Sequence, residues 1–280
     1  MLSYRHGFHA GNFADVLKHS LTTLVISALK QKDKPFVYID THAGAGKYSL
    51  QSEFAQKTGE YQQGIAKIWE TDDCPEEAKD YLAAVRAENT NNQLIRYPGS
   101  PQLVSRLVRS QDRLVLSELH STDYESLHQL FAGNKQVSAN KEDGLVSLEK
   151  KLPPIQRRGL ILIDPSYEVK AEYNQIVKTI AAAHRRFATG IYGLWYPVID
   201  RTNTERMLQR LAETGIPKQL RIEHCVAEDS SVRGMTGSGM LFINPPWQLE
   251  QQAQILLPWL NQHLTDGKGH WKIEWQVPEN

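Results

Sequence analysis

The chain has only two cysteines in 280 residues, Cys74 and Cys225, far apart and without a CxxC pairing. That excludes a disulfide framework and a thiolate metal site, and fits a reducing compartment. It has no excess of charge: Lys+Arg and Asp+Glu each number 32, so no global field draws it to nucleic acid or an anionic membrane, and any such surface must be local. No apolar run approaches the ~20 residues that a membrane span requires. The opening MLSYRHGFHAGNFADVLKH is broken by His, Arg, Asn and Asp before an apolar stretch develops, unlike a secretory leader. Internal repeats and low-complexity tracts are also lacking. The expectation is a cytoplasmic protein without metal, acting as a monomer; its 40% hydrophobic content suffices for a full core.

What is present is an alternation. Short β-rich runs, PFVYID (35–40), RLVLSE (113–118), GLILID (159–164), GIYGLWYP (190–197) and GMLFIN (239–244), read as buried parallel strands. Weaker strand candidates are 136–139 and 220–227. Amphipathic stretches at 15–29, 169–187 and 204–213 read as helices. This alternation predicts a doubly wound α/β sheet. One interval breaks the rhythm, because the distance from the glycine turn at Gly44 to the strand at Arg113 exceeds a single crossover helix. The polar segment 52–95, with a helical run at 75–89, is expected to be a small inserted helical subdomain too poor in apolar residues to stand alone. The last residues, 277–280, are expected to fray.

Four constellations sit where an α/β sheet places ligands, at the carboxyl ends of strands. The run VYIDTHAGAG ends a strand in an acid and a small-residue turn, where Gly44 and Gly46 let the backbone approach a cofactor closely; it is neither the dinucleotide fingerprint nor a phosphate-binding loop, and a plain strand-to-helix turn is the alternative. Glu118 closes RLVLSE where an acid accepts from a ribose hydroxyl, although acids at strand ends are often only solvated. Asp143-Gly144 follows a weak strand and either contacts an adenine amine or is an ordinary helix cap. The fourth is GLILIDPSY. Methylating an exocyclic amine needs acceptors for its two N–H groups, because its lone pair is delocalised into the base; the Asp164 carboxylate and the Pro165 carbonyl supply them, Asp164 takes the departing proton, and Tyr167 stacks on a base that has left its helix.

A second loop competes. Asn244-Pro245-Pro246-Trp247 fits the amide-or-acid, proline and aromatic pattern better than Asp164-Pro165-Ser166-Tyr167 does. Position favours Asp164, whose strand should neighbour the one bearing the glycine turn, and makes 244–247 a strand-end turn stiffened by its prolines.

With LSYRHxFHAGNxADVLKH, THAGAGxY, YPGSP, RRGLILIDPxYE, RFATGIYxLWYPV, the VRGM at 232–235 and INPPWxLEQQ before LPWL, essentially the whole chain resembles the RlmJ-type family of 23S ribosomal RNA adenine-N6 methyltransferases. The resemblance implies a Rossmann-like fold, S-adenosyl-L-methionine as cofactor, 23S ribosomal RNA, free or in an assembly intermediate, as partner, and Asp164 rather than Asn244 as the catalytic acceptor. It implies cofactor contacts at His19, His42, Ser100, Glu118, Asp143, Gly144 and Asp164, and an RNA contact at Tyr4. On residue type alone His19 reads as a satisfied histidine and Ser100, before Pro101, as an N-cap. Arg5, His6, His9 and Lys18 crowd the same N-terminal segment and offer phosphate contacts beside Tyr4. One departure is Ser166, where the family carries proline; the acceptor scheme survives, with less rigidity. Two rival readings are a DNA adenine methyltransferase and a non-catalytic nucleic-acid-binding factor for uptake or catabolism of external DNA.

Overall fold

The computed structural model describes residues 5–199, 201–229 and 234–279. The seven expected strands and one further strand form an eight-stranded sheet. In sequence order they are β1 (Val37–Asp40), β4 (Arg113–Glu118), β5 (Val137–Lys141), β6 (Gly159–Ile163), β7 (Ile191–Val198), β8 (Gln219–Cys225), β9 (Gly237–Ile243) and β10 (His270–Val277), and their spatial order is β10-β8-β9-β7-β6-β1-β4-β5. A short antiparallel pair, β2 (Lys47–Ser49) and β3 (Arg96–Pro98), stands apart with Tyr48 opposite Tyr97.

The strand from β5 to β7 are parallel, and side-chain alternation divides them between two cores. Tyr38, Leu114, Leu116, Leu160 and Leu162 point to one face, covered by α1 (Phe13–Lys30), α4 (Ser100–Leu107) and α9 (Leu249–Thr265). Val37, Ile39, Ile161 and Ile163 point to the other, under α7 (Ala171–Arg186) and α8 (Arg201–Glu213). Burial on both faces explains why these strands read as continuous apolar runs. The far half differs from expectation: β9 runs antiparallel to both β7 and β8, so GMLFIN is not a parallel strand, and β10, absent from the sequence reading, adds an antiparallel edge. Its alternation of Trp, Ile and Trp with Lys and Glu is an edge pattern, half solvated, which a search for buried runs passes over.

The long interval between the glycine turn and β4 holds α2 (Glu53–Thr58), two 3₁₀ turns and α3 (Glu76–Arg86), all between β2 and β3. Ile65, Ile68, Trp69, Tyr81 and Val85 from this segment are buried in the same core as α1 and α9. The register that matters for function is at β1. It lies between β4 and β6, with Asp40 opposite both Leu116 and Leu162, and the chain passes outward through β4 and β5 before returning to β6. The carboxyl ends of these strands therefore diverge around a crevice, the topological switch point at which such sheets bind ligands.

Candidate active site

The crevice is a cleft with about 1040 Å³ of free space counted out to its mouth, lined by residues from α1, the β1 turn, α4 and the ends of β4, β5 and β6. Its floor is organised by Asp40, fully buried at the end of β1. The carboxylate accepts the Tyr38 hydroxyl and the Ser100 hydroxyl on one oxygen, both at 2.6 Å, and the His42 amide on the other. Burial pushes this carboxyl up, and these donors hold it down in part. Ser100 is accordingly not an N-cap: Gly99 caps α4, and the Ser100 hydroxyl is spent on Asp40.

The turn after β1 is shaped by close approach. Gly44 adopts φ of 59°, and a Cβ there would meet the Tyr48 hydroxyl at 2.1 Å. Its amide donates to Glu118 Oε2 at 2.8 Å, while the His120 amide donates to Glu118 Oε1 at 2.6 Å. Burial raises the Glu118 carboxyl despite both donors. Across the cleft Asp143 caps the short helix α6 (Gly144–Ser147) through the Val146 amide, and Gly144 lies so close to β1 that a Cβ would come within 2.0 Å of the Thr41 carbonyl. Asp143 is thus a cap and a cleft residue at once. Gly46 is different. It does not line the cleft; its open side faces Leu130 and Leu127, so its lack of a Cβ serves packing against the helix Ser121–Leu130.

Two histidines line the cleft as neutral rings. Burial lowers His19 to about 3 and His42 to about 4. His19 Nδ1 pairs with the Tyr97 hydroxyl at 2.8 Å, and its buried Nε2 has no partner among the described residues. A buried ring nitrogen without a partner carries a desolvation cost that a ligand can relieve.

A second cleft opens on the other side of α1, lined by His6 and His9, by Thr58, Gly59, Glu60 and Gln63, and by Trp195 and Pro197 of β7. The two clefts share His6, Lys18, Asp164 and Ser166, so they meet at the end of β6. There Lys18 Nζ donates to Asp164 Oδ2 at 2.6 Å and pairs with Asp15 Oδ1 at 2.8 Å. Burial works to lower the Lys18 ammonium, but the two carboxylates outweigh it and hold it above the ordinary lysine value. Burial likewise works to raise Asp15, and His6 and Lys18 outweigh it, holding that carboxyl well below its ordinary range. Asn12 fixes this end of α1 as N-cap, accepting from the Ala14 and Asp15 amides.

Several expected site residues change role. Lys18 is buried and committed to two carboxylates, so its charge is not offered to phosphates. Tyr167 lines neither cleft; its backbone has φ of 56°, its hydroxyl donates to the Trp195 carbonyl at 2.6 Å, and its ring packs on Tyr173 and Trp195. A positive φ in a bulky residue is a strained conformation of the kind that collects at functional sites. Pro165 is buried beside it and lines neither cleft. Arg5 is half-buried, with its guanidinium 5.9 Å from the centroid of the Phe54 ring. Tyr4, and Val232 and Arg233 of the VRGM motif, lie outside the described residues.

Asn244 is remote from this chemistry. Because β9 is antiparallel, Asn244 ends it beside the start of β7, where its amide donates to the Ala188 and Gly190 carbonyls. It is a turn anchor at the opposite end of the sheet, and Trp247 is 77% exposed. Two cleft residues escaped the sequence reading, Asp15 and Trp195. Asp15, Lys18, His19 and Thr22 recur at helical spacing and are all buried, a polar stripe on a helix face that should be apolar. That stripe is the signal that would have found Asp15.

The family model described as ribosomal RNA large subunit methyltransferase D, RlmJ, matches residues 33–277. The chain is similar to ribosomal RNA large subunit methyltransferase J of Escherichia coli (strain K12), 55% identical over 280 residues with all of both chains covered. It is similar to the protein of the same name from Haemophilus influenzae Rd, 48% identical over 281 residues with both chains again fully covered. Among solved structures it is similar to a Legionella pneumophila protein, 40% identical with a TM-score of 0.89, the match covering 95% of this chain and 98% of that one.

Proposed function

The chain belongs to the ribosomal RNA large subunit methyltransferase J family, and on that premise we propose that it methylates the exocyclic N6 amine of one adenine in 23S ribosomal RNA, using S-adenosyl-L-methionine. The observation that carries this reading is the meeting of two clefts at Asp164. A transfer between two bound molecules requires two sites that open on one reactive point.

The cleft at the switch point fits the cofactor. Its charged lining is mainly acidic, with Glu118 suited to accept from ribose hydroxyls and Asp143 from an adenine amine, and acids also suit a ligand that carries an amine and a sulfonium. The unpartnered His19 Nε2 and the glycine approaches at 44 and 144 are further observations in its favour. His42 and Ser100 complete the wall beside α4. When bound, S-adenosylmethionine supplies an electrophilic methyl group.

Asp164 then does the positioning. Lys18 occupies its Oδ2, and Oδ1, which has no partner among the described residues, is free to accept one N–H of the amine. That contact orients the nitrogen lone pair toward the cofactor side, and the carboxylate carries away the proton, directly or through water. An adenine reaches this point only after leaving its stack, and the cleft beneath Trp195 is the space for it. Tyr167, held by Trp195, supports the wall of that space from behind.

The test is methylation of an unmodified 23S ribosomal RNA transcript, read by mass spectrometry of its nucleosides. N6-methyladenosine is expected from the wild type and none from Asp164→Asn, with cofactor affinity retained by the variant. Methylation of DNA in place of RNA, a different modified nucleoside, or full activity of Asp164→Asn would overturn the reading.

A further inference from the structure

We propose that Phe54 and Lys57 of α2, with Arg5 and Phe8, form a subsite that stacks the base and holds the phosphate of a nucleotide flanking the target adenine in single-stranded RNA, a proposal that rests on the function proposed above. The Phe54 ring is 44% exposed. Phe8 meets it edge-on, with centroids 4.9 Å apart and planes at 71°, the Arg5 guanidinium lies 5.9 Å from its centroid, and the Lys57 ammonium lies 5.9 Å from the centroid of Phe8. Aromatic and cationic side chains thus alternate across one small surface, the combination with which proteins grip single strands: rings and guanidinium planes take bases, and ammonium groups track phosphates.

The patch stands at the rim of the acceptor cleft. Thr58 and Gly59, one turn beyond Phe54, line that cleft together with His6 and His9, and the Thr58 hydroxyl donates to the Phe8 carbonyl, tying the helix to the N-terminal segment. A strand that places its adenine at Asp164 must leave over this rim, so the adjoining nucleotide meets Phe54. Of the carboxylates beside the patch, Glu60 is engaged by His9 and by the Asn12 side-chain amide, which leaves the exposed Glu53 against the two cations. Neither Arg5 nor Lys57 is in an ion pair among the described residues.

The test compares two probes on the full chain with the switch-point cleft saturated by S-adenosylhomocysteine: adenosine monophosphate, which carries one base, and a fluorescein-labelled short oligoadenylate, which also carries flanking bases. Phe54→Ala should weaken oligoadenylate binding about 5- to 150-fold, the range for loss of one stacked base, and leave adenosine monophosphate and cofactor affinity unchanged. Phe54→Trp should retain the oligoadenylate affinity, and Phe54→Leu, apolar but without a ring, should not. Lys57→Gln should reduce the salt slope of binding by about 0.7. The proposal is overturned if Phe54→Ala leaves oligoadenylate binding intact, if it weakens both probes equally, or if Phe54→Leu binds like the wild type. Binding is read without methyl transfer, so Phe54-dependent binding with no N6-methyladenosine would sink the proposed function and leave the subsite standing. N6-methyladenosine formation with a silent Phe54 would do the reverse.

Discussion

Replacing Lys18 by methionine removes the ammonium from the junction of the two clefts while keeping the volume of its stem. The side chains of Lys18 and Asp15 are 4% and 2% exposed, and Asp164 is 14% exposed. Breaking a buried ion pair from one side costs about 3–5 kcal/mol, because the remaining charge is left without compensation. Two features set the value near the lower end. Asp15 keeps the Gly11 amide and the His6 ring, each at 2.9 Å, and Asp164 is open enough to recover water. We expect a loss of about 3 kcal/mol, hence a melting temperature lower by roughly 6–12 °C, at the scale for a chain of this size. Denaturant unfolding and thermal melting measure it. The origin is separable in a double-mutant cycle: with Asp15→Asn already present, Lys18→Met should cost at least about 1 kcal/mol less, since only the better-hydrated Asp164 is then stranded. The depressed Asp15 carboxyl contributes stability above its unfolded value of 3.8, lost as pH falls below it, so the gap between wild type and Lys18→Met should narrow in acid. A loss under about 1 kcal/mol, or costs that simply add in the cycle, would refute the coupling on which this reasoning stands.

Four further outcomes follow from the same geometry. Ser166→Pro, which restores the rigidity missing from the loop after Asp164, should raise the single-turnover rate; an unchanged rate would mean that the loop is already held by Tyr167. Gly144→Ala should destabilise the protein by about 1–3 kcal/mol and weaken cofactor binding in calorimetry, because its Cβ would strike the Thr41 carbonyl. His19 and His42 remain neutral in the folded state down to about 3 and 4. As pH falls below 6.5 the unfolded chain therefore binds protons that the folded chain does not, and stability declines by up to about 1.4 kcal/mol per pH unit for the buried His19, less for the partly exposed His42; His19→Gln should flatten that acid limb in pH-dependent melting. Asn244→Ala should lower the melting temperature by loss of its two carbonyl partners and leave the activity per folded molecule unchanged.

The strands β1, β4, β6 and β7, the acids at their ends and the sheet class were legible in the sequence because each is a local pattern: burial on both faces writes a continuous apolar run, and the strand then ends in Asp40, Glu118 or Asp164. The glycine turn was legible for a similar reason, although only Gly44 and not Gly46 faces the cleft. What tertiary structure alone decided is which groups meet across distance. Lys18 and Asp164 are 146 positions apart, and the polar stripe on α1 that includes Lys18 does not indicate Asp164 as its partner. Ser100 finds Asp40, and Tyr167 finds Trp195, only after the helices and strands have docked. Strand direction decided between the two candidate loops: hydrophobic runs carry no sign of orientation, so GMLFIN could pass for a parallel strand, and its antiparallel course is what carries Asn244 to the far end of the sheet while β6 delivers Asp164 beside β1. Composition and periodicity set which residues are buried, and the packing of distant elements set which buried charges face each other and so where the chemistry sits.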